Sequence, residues 1–184
     1  GEIIVTGDDS VKNNYIKISF NYMILKMNTF FEQICHNTIK YKFRGVIMYK
    51  IKVGVLGAGR GIDLARNLTL AGAEIVALCD FNEKRLAKGL ENLGFNVPTF
   101  KDFDEFIEQE MDAVVLANYF HEHTPFAIKC FEKGLHVLCE CIANGTLAEG
   151  VELIRAYEKS NSIYMLAENY PQMIFNREMK RVCD

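Results

Sequence analysis

The chain has 184 residues, of which 49% are hydrophobic and 24% charged, and its formal net charge is −3. That length suits one domain of about 100–200 residues with an extension, and that composition supports a packed core and excludes wholesale disorder. A mildly acidic chain without a long basic run is not built around nucleic acid.

Residues 1–47 differ from the rest. They carry Lys12, Lys17, Lys26, Lys40, Lys42 and Arg44 against Glu2, Asp8, Asp9 and Glu32, a balance of +2 where the remainder has −5. The early acids exclude a secretory signal, and Lys26 interrupts the apolar stretch far short of the roughly 20 residues that a membrane span needs. Phe20, Ile24, Met27, Phe31 and Ile34 recur near helical spacing. A docked helix, a partner-binding helix and a non-native leader all remain open, and Met48 is a natural start for the domain that follows.

From Ile51 the pattern alternates strand and helix. Ile51–Leu56 reads as a buried strand running into the glycine turn Gly57-Ala-Gly-Arg-Gly61, with a helix to Ala71 that buries Ile62, Ala65, Leu68 and Thr69. Glu74–Asp80 is the second strand. Asn82 caps a helix with Leu86, Leu90 and Leu93 inward and Gly94 as its stop. A short strand at Val97–Phe100 precedes a helix from Asp102 to Gln109, with Phe103, Phe106 and Ile107 inward. Asp112–Ala117, Leu135–Cys139 and Ile163–Ala167 are strands four to six. Helices separate them at Thr124–Lys133 and at Thr146–Lys159, the latter with Leu147, Val151, Leu153 and Ile154 as its apolar residues. The spacing predicts a last helix over Gln172–Arg181. Six strands alternating with helices, without internal repeats, predict an α/β fold with a doubly wound parallel sheet, the Rossmann fold, over residues 48–168.

Such a sheet takes its ligand beyond the carboxyl ends of the strands. The glycine turn supplies the chemistry there. Gly57 turns the chain sharply, Gly59 removes the side chain that would hold a pyrophosphate away, and the helix start offers unpaired N–H groups to the phosphate. Asp80 lies about twenty residues downstream, where a carboxylate accepts hydrogen bonds from a ribose. One departure is visible. The usual G-x-G-x-x-G has its third glycine where this chain has Ile62, and Gly61 stands one place early, which predicts a slightly displaced helix. The six cysteines (35, 79, 130, 139, 141 and 183) have no C-x-x-C spacing and read as reduced thiols of a cytoplasmic protein. His121-Glu-His123 lacks a third ligand at zinc-like spacing.

The ordered set Gly57-Ala-Gly59, Ala77-Leu-Cys-Asp80, Ala117…His121-Glu-His123 and Gly134-Leu-His-Val-Leu-Cys-Glu140 resembles the nucleotide-binding half of the Gfo/Idh/MocA oxidoreductases over about residues 50–170. The resemblance implies NAD(P)-dependent hydride transfer on a sugar, polyol or related carbohydrate, with a second α/β domain that supports substrate and oligomer contacts. Carried over by position, Gly57 and Gly59 match the pyrophosphate turn, with Gly61 among the cofactor-binding residues, and Arg60 contacts phosphate or adenine. Asp80 selects NAD over NADP, Asn118 binds the cofactor from the stretch where the family has Thr-Pro-Pro, Glu140 holds the nicotinamide ribose, and Asn169 faces the nicotinamide end. His121 matches a family histidine near the nicotinamide, with capping of the next helix as its plain structural alternative.

Two departures stand out. Tyr119 and Phe120 replace the prolines of the family's Thr-Pro-Pro. Cys141 replaces the lysine of Glu-Lys-Pro, and a thiol is at most a weak donor near neutral pH. The catalytic candidates are therefore His121, His123 and Cys141. After Glu168 almost none of the substrate domain is present, and residues 169–184 read as its start, so the chain is expected to be incomplete, to bind NAD more than it turns over, and to self-associate. A non-catalytic nucleotide-binding or interaction module is the rival reading, and an S-adenosylmethionine methyltransferase a third.

Overall fold

The computed structural model describes residues 50–168, 170 and 173–184. The leader over residues 1–47, with Cys35, and the proposed nicotinamide-facing Asn169 lie outside the described residues.

Six parallel strands form one sheet: β1 (Lys52–Leu56), β2 (Glu74–Cys79), β3 (Thr99–Phe100), β4 (Ala113–Leu116), β5 (His136–Cys139) and β6 (Tyr164–Leu166). Their spatial order is β3-β2-β1-β4-β5-β6, so the chain winds outward from β1 in one direction and then from β4 in the other. The helices between them are α1 (Arg60–Leu70), α2 (Glu83–Leu93), α3 (Phe103–Phe106), α4 (His123–Glu132) and α5 (Leu147–Glu158), and α6 (Ile174–Cys183) follows β6.

Both faces of the sheet are covered. Val53, Val55, Leu78 and Val115 pack against Leu64, Ala65 and Leu68 of α1 on one face. Leu56, Ala77, Val114, Leu116 and Val137 pack against Phe103, Phe106 and Phe131 on the other. Strand side chains alternate between faces, so a strand sandwiched between helix layers is apolar along its covered length, and that is why β4, and β1 beyond Lys52, read as apolar runs. The caps act where the sequence places them. The Asn82 side chain accepts from the N–H groups of Lys84 and Arg85, Gly94 closes α2 at φ 83°, and Thr146 and Glu149 form a reciprocal capping box on α5.

Four expectations need correction. Thr69 is exposed, and Leu64 takes its inward place on α1. Strand β3 is only two residues long, and α3 a single turn where the pattern predicted eight residues. Strand β3 is at the sheet edge with one neighbour, and α3 has Asp102 as cap but little length to bury. The largest error concerns α5. Leu147, Val151 and Ile154 are 90%, 47% and 57% exposed, and Leu153 is the one residue of the helix that is buried. Periodicity identifies an apolar stripe but not whether anything covers it. Likewise α6 buries none of its residues and exposes Ile174, Phe175, Met179 and Val182.

Candidate functional site

The winding reverses between β1 and β4, so the loops that leave their carboxyl ends diverge and leave a crevice. A cleft of about 220 Å³ lies there. It is lined by Gly57, Gly59 and Arg60 after β1, Asp80 and Phe81 after β2, and Asn118 and Tyr119 after β4, with Arg85 reaching in from α2.

Each glycine of the turn has its own reason. Gly57 sits at φ +102°, and a Cβ there would lie 2.3 Å from the carbonyl oxygen of Ala117. A Cβ on Gly59 would meet nothing within 4 Å, so this residue holds open space at the cleft wall. Helix α1 begins at Arg60 with no side chain capping it, unlike α2, α3 and α5. Its first N–H groups and positive dipole end are left for an anion. Gly61 does the packing work expected of the third glycine, because a Cβ there would be 2.7 Å from Val55 Cγ1. The displaced glycine therefore brings α1 onto β1. Gly89 of α2, which sequence reasoning passed over, has the same duty: its Cβ would come within 3.0 Å of Ala58 Cβ.

Asp80 is the buried anchor of the cleft, 7% exposed. Its Oδ2 accepts from the N–H of Ala58 at 2.9 Å, and its Oδ1 accepts from the N–H of Asn82 at 2.9 Å. One carboxylate thus ties the glycine turn to the loop after β2. The Asn118 amide donates to Glu122 Oε2 at 3.4 Å, while its Oδ1 is buried and has no hydrogen-bond partner. A buried acceptor left empty is costly, and a ligand hydroxyl or amide would satisfy it.

Across the cleft, Arg60 Nε donates to Glu140 Oε1 at 2.6 Å, and Glu140 Oε2 accepts from the Cys141 N–H at 2.9 Å. The Cys141 thiol donates to Glu168 Oε2 at 3.0 Å. Burial pushes that thiol up to about 12, and the bond to the Glu168 carboxylate reinforces the shift. Near neutral pH Cys141 is a neutral donor, neither a cation nor a thiolate. Glu168 lies two residues past β6, beyond the same sheet edge at which Asp80 directly follows β2, and that position was the signal from which its role could have been read.

The two histidines are separated by their surroundings. His123 is 1% exposed, and its Nδ1 donates to the carbonyl of Ile142 at 2.6 Å. Next to it, the Thr124 hydroxyl donates to the carbonyl of Ala143 at 3.2 Å. Together they fasten the segment after Cys141 to the start of α4, so His123 is an interior tie rather than a group at the open cleft. The His121 side chain is 60% exposed, with Nε2 3.9 Å from Glu122 Oε1. Among the described residues no three His, Cys, Asp or Glu side chains gather as a metal site, and no helix is long and apolar enough to cross a membrane.

Residues 51–168 match the model of the oxidoreductase family with an NAD-binding Rossmann fold, Gfo/Idh/MocA. The chain belongs to this family. Inositol 2-dehydrogenase 2 of Paenarthrobacter aurescens is 36% identical over 110 residues, 58% of this chain and 32% of its own length. A glycosyl hydrolase family 109 protein of Stenotrophomonas maltophilia is 28% identical over 133 residues, 65% of this chain and 29% of its own. Among solved structures, a probable dehydrogenase from Thermotoga maritima matches with a TM-score of 0.63 and 29% identity, over 72% of this chain and 40% of that one. The myo-inositol dehydrogenase of Lactobacillus casei, crystallised with NAD(H) and myo-inositol, matches in fold with a TM-score of 0.60 and 22% identity, over 64% of this chain and 36% of its own. The chain spans about a third of the length of the curated relatives it matches. The family match sets aside the methyltransferase alternative, and the sheet topology is the Rossmann arrangement expected from the sequence.

Proposed function

We propose that this chain is the NAD-binding part of an oxidoreductase that transfers a hydride to or from a sugar, an inositol or a related polyol. The observation that carries the reading is the cleft at the β1–β4 reversal, where an uncapped helix start, the open space at Gly59 and the Asp80 carboxylate adjoin. The residues fit the dinucleotide. Backbone N–H groups from Gly59 to Gly61 take the pyrophosphate, Asp80 takes the adenosine ribose with its remaining lone pairs, and the empty Asn118 Oδ1 accepts a hydroxyl or carboxamide proton. Arg60 and Glu140, already paired, flank the phosphate and the nicotinamide ribose. NAD supplies the hydride chemistry when bound, and the protein supplies orientation and a dry wall. Asp80 also disfavours a 2′-phosphate by charge, which makes NAD the preferred cofactor over NADP.

The calorimetric test uses NAD, NADP and S-adenosylmethionine against the unaltered chain and Gly59→Ala. The added methyl group points into open space, so folding is kept while the phosphate is held off. NAD affinity should drop at least about tenfold, the loss of one hydrogen bond to a charged group. Equal binding by the variant, or no binding of NAD by the unaltered chain, refutes the reading.

Cys141 favours a second reading, a nucleotide-binding module without turnover. Its neutral thiol, tied to Glu168, cannot polarise a substrate oxygen as a lysine cation would. NAD binding with no nicotinamide reduction by any polyol, in this chain joined to a second domain, would select that reading. Turnover that disappears in His121→Ala would instead make His121 the acting base.

A further inference from the structure

We infer that the outer face of α5 is a homodimer contact, in which the apolar ridge of one copy enters the groove between α4 and α5 of a second copy. This surface stands apart from the nucleotide cleft, because no residue of α4 or α5 lines that cleft, and the contact does not depend on a bound nucleotide.

Leu147, Val151 and Ile154 recur at i, i+4 and i+7, so they stand in one ridge along α5, and all three are exposed. Beside the ridge runs a groove of about 530 Å³ between α4 and α5. Buried Phe131 and half-buried Ile128 and Ala156 form its floor, and Glu152, Arg155 and Ser160 form its α5 side. A ridge and a groove on one face fit each other when two copies meet across a two-fold axis, since the same patch then supplies both halves of the contact. A different partner would have to bring its own matching ridge and groove. A second copy already has them.

Register and charge point to the same pairing. When α5 meets its copy antiparallel about an axis between Leu153 and Ile154, position 152 faces 155, 151 faces 156 and 147 faces 160. Val151 then lands on Ala156 of the groove floor and Leu147 on Ser160 at the groove end, while each Glu152 meets an Arg155 of the second copy. Within the chain these two charges are left over. Glu152 and Arg155 make no ion pair among the described residues, although one helical turn separates them, whereas Lys129 and Lys133 of neighbouring α4 are paired with Asp104 and Glu108. Over its 12 residues α5 is about 18 Å long, and one such contact buries on the order of 1,000 Å² in all, the low end for a specific interface. The dimer is therefore weak, with a dissociation constant on the order of 10–100 μM.

The test is sedimentation velocity on the full chain from about 5 to 500 μM, a range that brackets such a constant. The variants are Glu152→Arg, Arg155→Glu, an equal mixture of these two, Ile154→Asp, and Phe175→Asp on the exposed face of α6. All four positions are exposed, and thermal unfolding checks that each variant folds. The unaltered chain should pass from monomer to dimer with concentration. Each charge reversal alone sets like charges against each other and should weaken the dimer at least about tenfold, as should Ile154→Asp. In the mixture, a Glu152→Arg copy presents two cations to the two acids of an Arg155→Glu copy, so a heterodimer should form as tightly as the unaltered dimer. Phe175→Asp should leave the association unchanged. A chain that stays monomeric up to about 500 μM overturns the contact. If Ile154→Asp also lowers its unfolding midpoint, the ridge is covered from within the chain instead. A dimer lost only in Phe175→Asp overturns the contact as well and puts the association on α6. A mixture that stays monomeric overturns the antiparallel register.

Discussion

Replacing Asp80 should destabilise the chain as well as empty the cleft, and the two effects can be separated. Its carboxylate holds two backbone N–H groups, those of Ala58 and Asn82, each at 2.9 Å. A hydrogen bond to a charged group contributes roughly 1.5–3 kcal/mol, and a buried donor left empty costs about as much. The Ala58 bond is buried, whereas the Asn82 N–H is only partly so and can turn to water. Asp80→Ala should therefore cost about 2–4 kcal/mol. Asp80→Asn keeps one acceptor oxygen and should cost about half as much, or about 1–2 kcal/mol. Against a total stability of about 5–15 kcal/mol these are large fractions, readable from urea unfolding followed by circular dichroism. Gly59→Ala, whose new methyl group touches nothing, should lose nucleotide affinity with its unfolding midpoint nearly unchanged. If Asp80→Ala unfolds within about 0.5 kcal/mol of the unaltered chain, as an ordinary surface substitution does, the carboxylate is not the clamp of the glycine turn.

Three further outcomes follow from the packing and the titrating groups. Gly61→Val should destabilise by about 1–3 kcal/mol, the usual penalty for overpacking, because even a Cβ there would stand 2.7 Å from Val55 Cγ1; a stable variant in thermal unfolding would mean that α1 does not press on β1. His136 accepts the Ile163 N–H on Nδ1 at 3.0 Å, and burial lowers its pKa below 6.5 although Asp112 pulls the other way. The unfolded chain then takes up the proton first, so stability is full above about pH 6.5 and falls as the pH drops through that value, and His136→Asn should flatten this part of the stability–pH curve. Cys141, pushed up to about 12, should resist iodoacetamide at pH near 8 while exposed Cys183 is alkylated, as read site by site in mass spectra; rapid Cys141 labelling would contradict its bond to Glu168.

The sequence carried the fold because the fold is written in local terms. The apolar runs of β4 and of β1 beyond Lys52, the caps Asn82 and Thr146, and the stops at Gly72, Gly94 and Gly134 each depend on a few adjacent residues. The cleft residues Gly57, Gly59, Arg60, Asp80 and Asn118 were legible for the same reason, since a parallel sheet brings the ends of its strands to one edge. Side-chain partners were not legible. His121 and His123 look equivalent in a His-x-His sequence, yet one is at the surface and the other is tied to Ile142. The stripe Leu147, Val151 and Ile154 has the period of a buried face and lies exposed.

By itself, then, the amino-acid sequence determined the succession of strands and helices, the parallel sheet and the family. The strands, helices and sheet follow from backbone propensity and hydrophobic period, and the family from the resemblance of the ordered motifs around Gly57, Asp80, His121 and Glu140. Only the tertiary structure decided that Gly61 serves as the packing glycine, that Asp80 clamps the turn, that Arg60 meets Glu140 and that the Cys141 thiol donates a hydrogen bond to Glu168. Those pairings join residues far apart in the chain, and hydrogen bonding, burial and charge act through distances in space, for which no local pattern is a substitute.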